Sequence, residues 1–170
     1  MAIEINSDNS TNKTAGRCPA PWSSTVPVDL NGEEKREAEK QKQIIYGALL
    51  NRLNGFIGSE QMGAMREVLR GSEARYMQST ITGMLDIIET MPKTYQTDRQ
   101  DDPVVYLHYF KGGCDWYITE LDFEAEQLQA FGKADLGMGF PELGYISIVE
   151  LLECGVELDL HWPVRKLSEI

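Results

Sequence analysis

One stretch constrains the fold of this chain more than any other: VVYLHYFKGGCDWYITELD, residues 104–122. Two runs dense in β-branched and aromatic residues flank KGGC, and their side chains alternate with the period of a strand. Gly112 and Gly113 can take the positive φ angles of a two-residue hairpin turn. With those glycines as the loop, His108 lies opposite Tyr117 and Tyr109 opposite Trp116. Val105, Leu107, Tyr109, Trp116 and Ile118 then share one face with Glu120, and this purer apolar face should pack inward. The other face carries Val104, Tyr106, His108, Phe110, Asp115, Tyr117, Thr119 and Leu121. It is aromatic but punctuated by polar groups, as a covered sheet face with a polar pocket would be.

Further strands follow the hairpin. LQAFGKADL reads as one, with Gly132 permitting a close approach or a bulge. LGYISI reads as a fourth strand, SIVELLECG as a short helix or turn stopped by Gly155, and VELDLHW as a last alternating strand. That last strand would set Val156, Leu158, Leu160 and Trp162 against Glu157, Asp159 and His161. Upstream the period is helical. Glu33 to about Phe56 carries Ile44, Ile45, Ala48, Leu49, Leu50 and Leu53 on one stripe. Ser59 can cap a second helix with Met62, Met65, Val68 and Leu69, closed by Gly71. Ser72 can cap a third with Tyr76, Met77, Ile81, Met84, Leu85 and Ile88, ended by Met91-Pro92. The methionines read as gap-filling core. The expected fold is therefore α+β: a largely antiparallel four- to five-stranded sheet in the C-terminal half, preceded by about three short helices packing on or beside it. The organisation is a flexible leader over 1–31, a helical region over 32–92 and an acidic β-rich domain over 93–170. Trp22 and the STVPVDL stretch of the leader can dock on the body.

Charge narrows the partners. The chain carries a net charge of −11, and from Asp98 onward fifteen acids face only Arg99, Lys111, Lys133, Arg165 and Lys166. That half should repel a phosphate backbone, so direct nucleic-acid binding by it is not expected. The N-terminus lacks the basic and apolar regions of a secretory signal, and no apolar run approaches the roughly 20 residues of a bilayer span. A cytoplasmic protein without a membrane partner is expected. Cys18, Cys114 and Cys154 are odd in number and form no CxxC pair, which indicates reduced thiols rather than a disulfide framework or a zinc ribbon.

LHYFKGGCDWYITELD, AFGKADLG, PELGYISIVELLE and VELDLHW, taken in order, resemble the domain of unknown function 2958 family over about residues 92–170. The resemblance implies a setting in phages, plasmids and other mobile elements. It brings no catalytic residues.

The strongest polar constellation is His108 with Asp115, Tyr106 and Tyr117 on one predicted face, with Thr119 beside them. An imidazole oriented by a carboxylate can serve general acid–base chemistry; the alternative is a sheet histidine bonded to Asp115 for structure. If anything is catalytic, His108, Asp115 and Tyr117 are the candidates; as a binding face, Tyr106, His108, Asp115, Tyr117 and Thr119. Metal ligands can be sought among His108, Glu120, Asp159 and His161, but no HxH or HExxH spacing occurs, and neither a metal nor a cofactor is expected. Cys114 sits at the hairpin turn in acidic surroundings that disfavour a thiolate. Gly137 and Gly139 lack the spacing and the basic residue of a phosphate loop. Asp122, Glu124 and Glu126 read as a solvated tip. The reading that results is an accessory protein of a mobile genetic element, a non-enzymatic protein-interaction module that counteracts or modulates a host system. The alternatives are a small hydrolase-like enzyme using His108 and Asp115, and an acidic decoy that mimics nucleic acid.

Overall fold

A computed structural model of the chain describes residues 32–122 and 128–170. The leader, with Trp22 and Cys18, and the acidic residues Glu124 and Glu126 lie outside the described residues. The architecture is α+β, as expected.

Three helices come first. α1 (Gly32–Leu53) begins as a solvated charged rod, with Glu33 and Glu34 in its positive first turn. Its buried positions are Tyr46, Leu50 and Leu53, one stripe at helical spacing. Ile44 and Ile45, expected on that stripe, face solvent, because the stripe runs through Tyr46 instead. α2 (Ser59–Arg70) buries Met62, Met65 and Leu69. Its N-cap is Gly58 and no side chain caps it, so Ser59 is the first helical residue rather than the cap. α3 (Ala74–Thr90) starts after Glu73 and buries Ile81, Met84, Leu85 and Ile88. Tyr76 is exposed, and Ser72 is not the cap. Met62, Met65, Met84 and Met91 are all core residues, filling irregular gaps between helices as the flexible thioether allows.

The sheet follows. β2 (Leu107–Lys111) and β3 (Cys114–Asp122) form the expected hairpin, with His108 opposite Tyr117 and Tyr109 opposite Trp116. Only Gly112 of the turn is left-handed, at φ 59°. β4 (Gln129–Asp135) and β5 (Glu142–Ser147) extend the sheet antiparallel on one side, and the two-residue β6 (Glu157–Leu158) closes the other. The order is β5-β4-β3-β2-β6. α4 (Ile148–Glu153) lies between β5 and β6 and is capped by Ser147, whose side chain accepts from the Glu150 N–H. A separate ribbon pairs β1 (Val104–Val105) with β7 (Arg165–Lys166).

Leu107, Tyr109, Ile118, Leu121, Ala130, Ile146 and Leu158 join the buried residues of the helices in one cluster. Each fully buried aliphatic side chain of this kind contributes roughly 1.5–3 kcal/mol. Two polar links fix helices to sheet: the Tyr109 hydroxyl donates to the Phe56 carbonyl at 2.9 Å, and Gln61 bonds both the N–H and the C=O of Leu158.

Strict alternation fails at one place in the hairpin. Between Ile118 and Glu120 the β3–β4 register shifts, with Ile118 opposite Gly132 and Glu120 opposite Phe131. The extra residue is Thr119, which is buried and donates from its hydroxyl to the Phe131 carbonyl. This bulge turns Leu121 into the core and sends Glu120 to the opposite face, the reverse of the expected placement. Gly132 is what admits it, because a Cβ there would lie 2.0 Å from the Tyr117 carbonyl oxygen.

VELDLHW also departs from expectation. Only Glu157 and Leu158 pair as strand. Asp159 then starts a side-chain turn, its carboxylate accepting from the His161 N–H at 2.9 Å. The turn carries Trp162 away from the Leu158 face and over the hairpin.

Candidate functional site

The outer sheet face, opposite the helices, is built on His108. The side chain of this residue is only 12% exposed. Its Nε2 lies 2.8 Å from a carboxylate oxygen of Asp115, and its Nδ1 lies 3.3 Å from one of Asp159. Asp115 comes from the start of β3, two positions from Tyr117; Asp159 comes from the turn after β6. Both ring nitrogens thus face carboxylate oxygens.

Aromatic rings enclose the imidazole. Tyr117 stacks on it at 5.0 Å with planes 9° apart, Trp162 tilts over it at 4.7 Å, and Phe110 stacks at 5.7 Å. Trp162 is pinned by its indole N–H, which donates to the Val105 carbonyl at 3.2 Å. Two cations rim the group: the Arg165 guanidinium lies 4.4 Å above the Trp162 ring, and the Lys133 ammonium 5.0 Å above that of Tyr117. Burial raises the pKa of Tyr117, and the charges of Asp115 and Asp135 push it the same way against the opposing pull of Arg165.

The structure thus brings together His108, Asp115 and Tyr117 of the predicted set and leaves out two others. Tyr106 falls in the break between β1 and β2 and packs against the core, and Thr119 is consumed by the bulge. Asp159 and Trp162 complete the cluster. In the sequence Asp159 goes with His108 only as a metal candidate, and Trp162 falls on the other face of the strand, because VELDLHW reads as unbroken alternation; the Asp before a short DLHWP turn is the signal that ends the strand.

Of the four metal candidates, His108 and Asp159 meet in this cluster, while Glu120 and the His161 ring lie apart from it. Glu120 is buried beneath the 93–97 loop, where its carboxylate accepts from the Tyr95 N–H at 2.8 Å, the Thr97 N–H at 2.5 Å and the Thr97 hydroxyl. His161 stacks on Tyr76. Among the described residues no group of three or more His, Cys, Asp or Glu side chains is placed to hold a metal ion. Cys114 is half-buried at the start of β3 and Cys154 is exposed; both are free thiols. Gly137 and Gly139 form a turn tied by the Asp135 carboxylate.

Beyond the closed cluster, Leu143 and Tyr145 of β5 share this outer face, and the loop that joins β4 to β5 adds further exposed apolar side chains. Leu136, Met138, Phe140, Leu143 and Tyr145 are exposed. Tyr145 meets Phe131 and Tyr95 edge-on at 5.4 and 6.2 Å. Its pKa is pushed up to about 12, first by a hydrogen bond with Tyr95, with Asp98 and Glu120 among the lesser causes.

The sequence model of one family, described as protein of unknown function (DUF2958), matches residues 80–166, just over half of the chain. The chain belongs to this family. The match begins within α3 and takes in the histidine cluster, the open hairpin and every strand of the sheet. No curated protein and no solved structure matches the chain. Among the described residues, no helix is long and apolar enough to cross a membrane.

Proposed function

We propose that this DUF2958 protein is an accessory protein of a mobile genetic element and acts as a non-enzymatic interaction module, modulating a host system by holding a protein. The observation that carries this reading is the exposed apolar run Leu136, Met138, Phe140, Leu143 and Tyr145 on the β4–β5 hairpin. Five large apolar side chains exposed on one hairpin are what a partner surface offers, and they have a cost in solubility that a binding role would offset. The mobile-element setting is what the family resemblance implies. The enzyme alternative is weaker, because both nitrogens of His108 already face carboxylates and its ring is walled by Tyr117, Trp162 and Phe110. A general base needs an approach for its substrate.

Affinity capture from a host lysate, followed by mass spectrometry, tests the reading. The wild-type chain should retain a specific protein. Met138→Asp with Phe140→Asp should weaken capture by roughly tenfold or more, the effect expected of central apolar contacts, while thermal stability stays within about 0.5 kcal/mol, as for surface substitutions in general. His108→Gln should lower stability and leave capture by the remaining folded protein unchanged. Retention of nothing by the wild-type chain, or equal retention by the double variant, would remove the reading.

A further inference from the structure

The two edges of the five-stranded sheet are treated differently. At β6, the side-chain amide of Gln61 bonds both the N–H and the C=O of Leu158, at 3.1 and 2.6 Å, so a side chain stands where a further strand would pair. β6 is also only two residues long. At β5 neither device is present. The strand runs six residues, Glu142–Ser147, pairs with β4 throughout and has no bulge. Beyond that ladder, no described residue hydrogen-bonds the backbone of Glu142, Leu143, Gly144, Tyr145 or Ile146. It carries no lysine and no proline, the usual guards of an exposed edge. Leu143 and Tyr145 stand exposed on its outer face.

The charge about this edge is predominantly negative. Glu142 opens the strand and Asp135 ends the neighbouring one. Lys133 stands opposite Leu143 in the ladder, and its ammonium is turned over Tyr117, away from the free edge. A second copy of this acidic chain would meet the same negative charge.

We propose that β5 is a strand-addition site for an extended, lysine- or arginine-bearing segment of a partner protein. The partner's backbone continues the sheet, its alternate apolar side chains cover Leu143 and Tyr145, and its cations, on the other face, meet Glu142. This deepens the interaction reading given above and rests on it.

The probe is a short synthetic peptide alternating valine and lysine, titrated into the isotope-labelled full chain and followed by amide shifts. Saturable shifts centred on Glu142–Ser147 are expected. Replacing the lysines with glutamate should weaken binding at least tenfold, and N-methylating alternate peptide residues, which removes backbone donors, should abolish it. Leu143→Lys with Tyr145→Lys should abolish it too. The proposal is overturned if the shifts fall elsewhere, if the N-methylated or glutamate peptide binds equally, or if the edge is already taken. A concentration-dependent dimer broken by the double variant, or crosslinks from residues 1–31 to β5, would show such an occupant. Captured protein lost with Met138→Asp and Phe140→Asp but kept by the β5 variant would sink the edge assignment and spare the interaction reading. No captured protein at all, with the peptide binding intact, would do the reverse.

Discussion

A histidine held by two carboxylates and three aromatic rings is a joint, and its removal should act on stability. His108→Ala would leave Asp115 and Asp159 without the ring they both face and open a void beneath Tyr117 and Trp162. The expected cost is about 2–3 kcal/mol from lost packing and unpaired polar groups, read as a lower denaturation midpoint with an unchanged slope. An unaltered midpoint would show that the cluster is not structural. Glu120 works in the same way on the other side of the bulge. The residue is 3% exposed and its carboxylate holds the Tyr95 and Thr97 amides, and Tyr95 sits at φ 70°, a conformation a non-glycine residue adopts only when its surroundings impose it. Glu120→Ala should cost about 2–4 kcal/mol by orphaning buried donors, and hydrogen exchange should show the Tyr95 and Thr97 amides losing protection first. His108 facing Asp115 follows from counting outward from the GG turn. The placement of Glu120 on the outer face does not, because strict alternation puts it on the core face with Val105 and Leu107, and nothing in the residue itself marks the slip.

At the scale of elements, that slip depends on a glycine. The sheet twists and shifts register where Gly132 lets β4 approach the Tyr117 carbonyl, and any Cβ there meets backbone that cannot move aside cheaply. Gly132→Ala should therefore destabilise by more than about 3 kcal/mol, above the usual range for a single substitution, or the chain should fail to fold. A folded variant of near wild-type stability would mean that the bulge relaxes into regular pairing, and that Thr119 and Glu120 exchange faces. The presence of a glycine in mid-strand was enough to suggest a bulge or close approach, while its effect on the residues opposite was not readable, since register across strands is a long-range property. The helices show the same division. Their apolar stripes were clear from the 3.6-residue period, but Ser59 and Ser72 lost the cap positions to Gly58 and Glu73, because local capping preference is worth only about 1 kcal/mol and packing decides the last turn. VELDLHW failed for another reason: two strand-like residues precede an Asp that bonds its own backbone, and the turn it makes delivers Trp162 to His108.

For the molecule as a whole, the C-terminal segment is a strap that returns across the hairpin, and its fastening is electrostatic. β7 pairs with β1, the Leu167 N–H donates to the Pro103 carbonyl, and the Asp102 carboxylate accepts from both the N–H and the hydroxyl of Ser168 at 2.9 Å. These bonds hold the Asp102 carboxyl below its ordinary value of 3.8, the Ser168 backbone bond contributing most, with Lys166 assisting from 3.5 Å. A carboxylate whose folded pKa is depressed adds stability that is present above the unfolded value and is lost as pH falls through the folded one. The strap carries Trp162 and Arg165, so its release uncovers His108 as well. On acidification the Ser168 amide should stay protected through the ordinary carboxyl range and then exchange rapidly at lower pH, with the Trp162 fluorescence shifting in step. Asp102→Asn keeps an acceptor oxygen but cannot titrate, so it should flatten the acid dependence of Ser168 exchange without unfolding the sheet. An acid profile identical in the variant would place the fastening elsewhere.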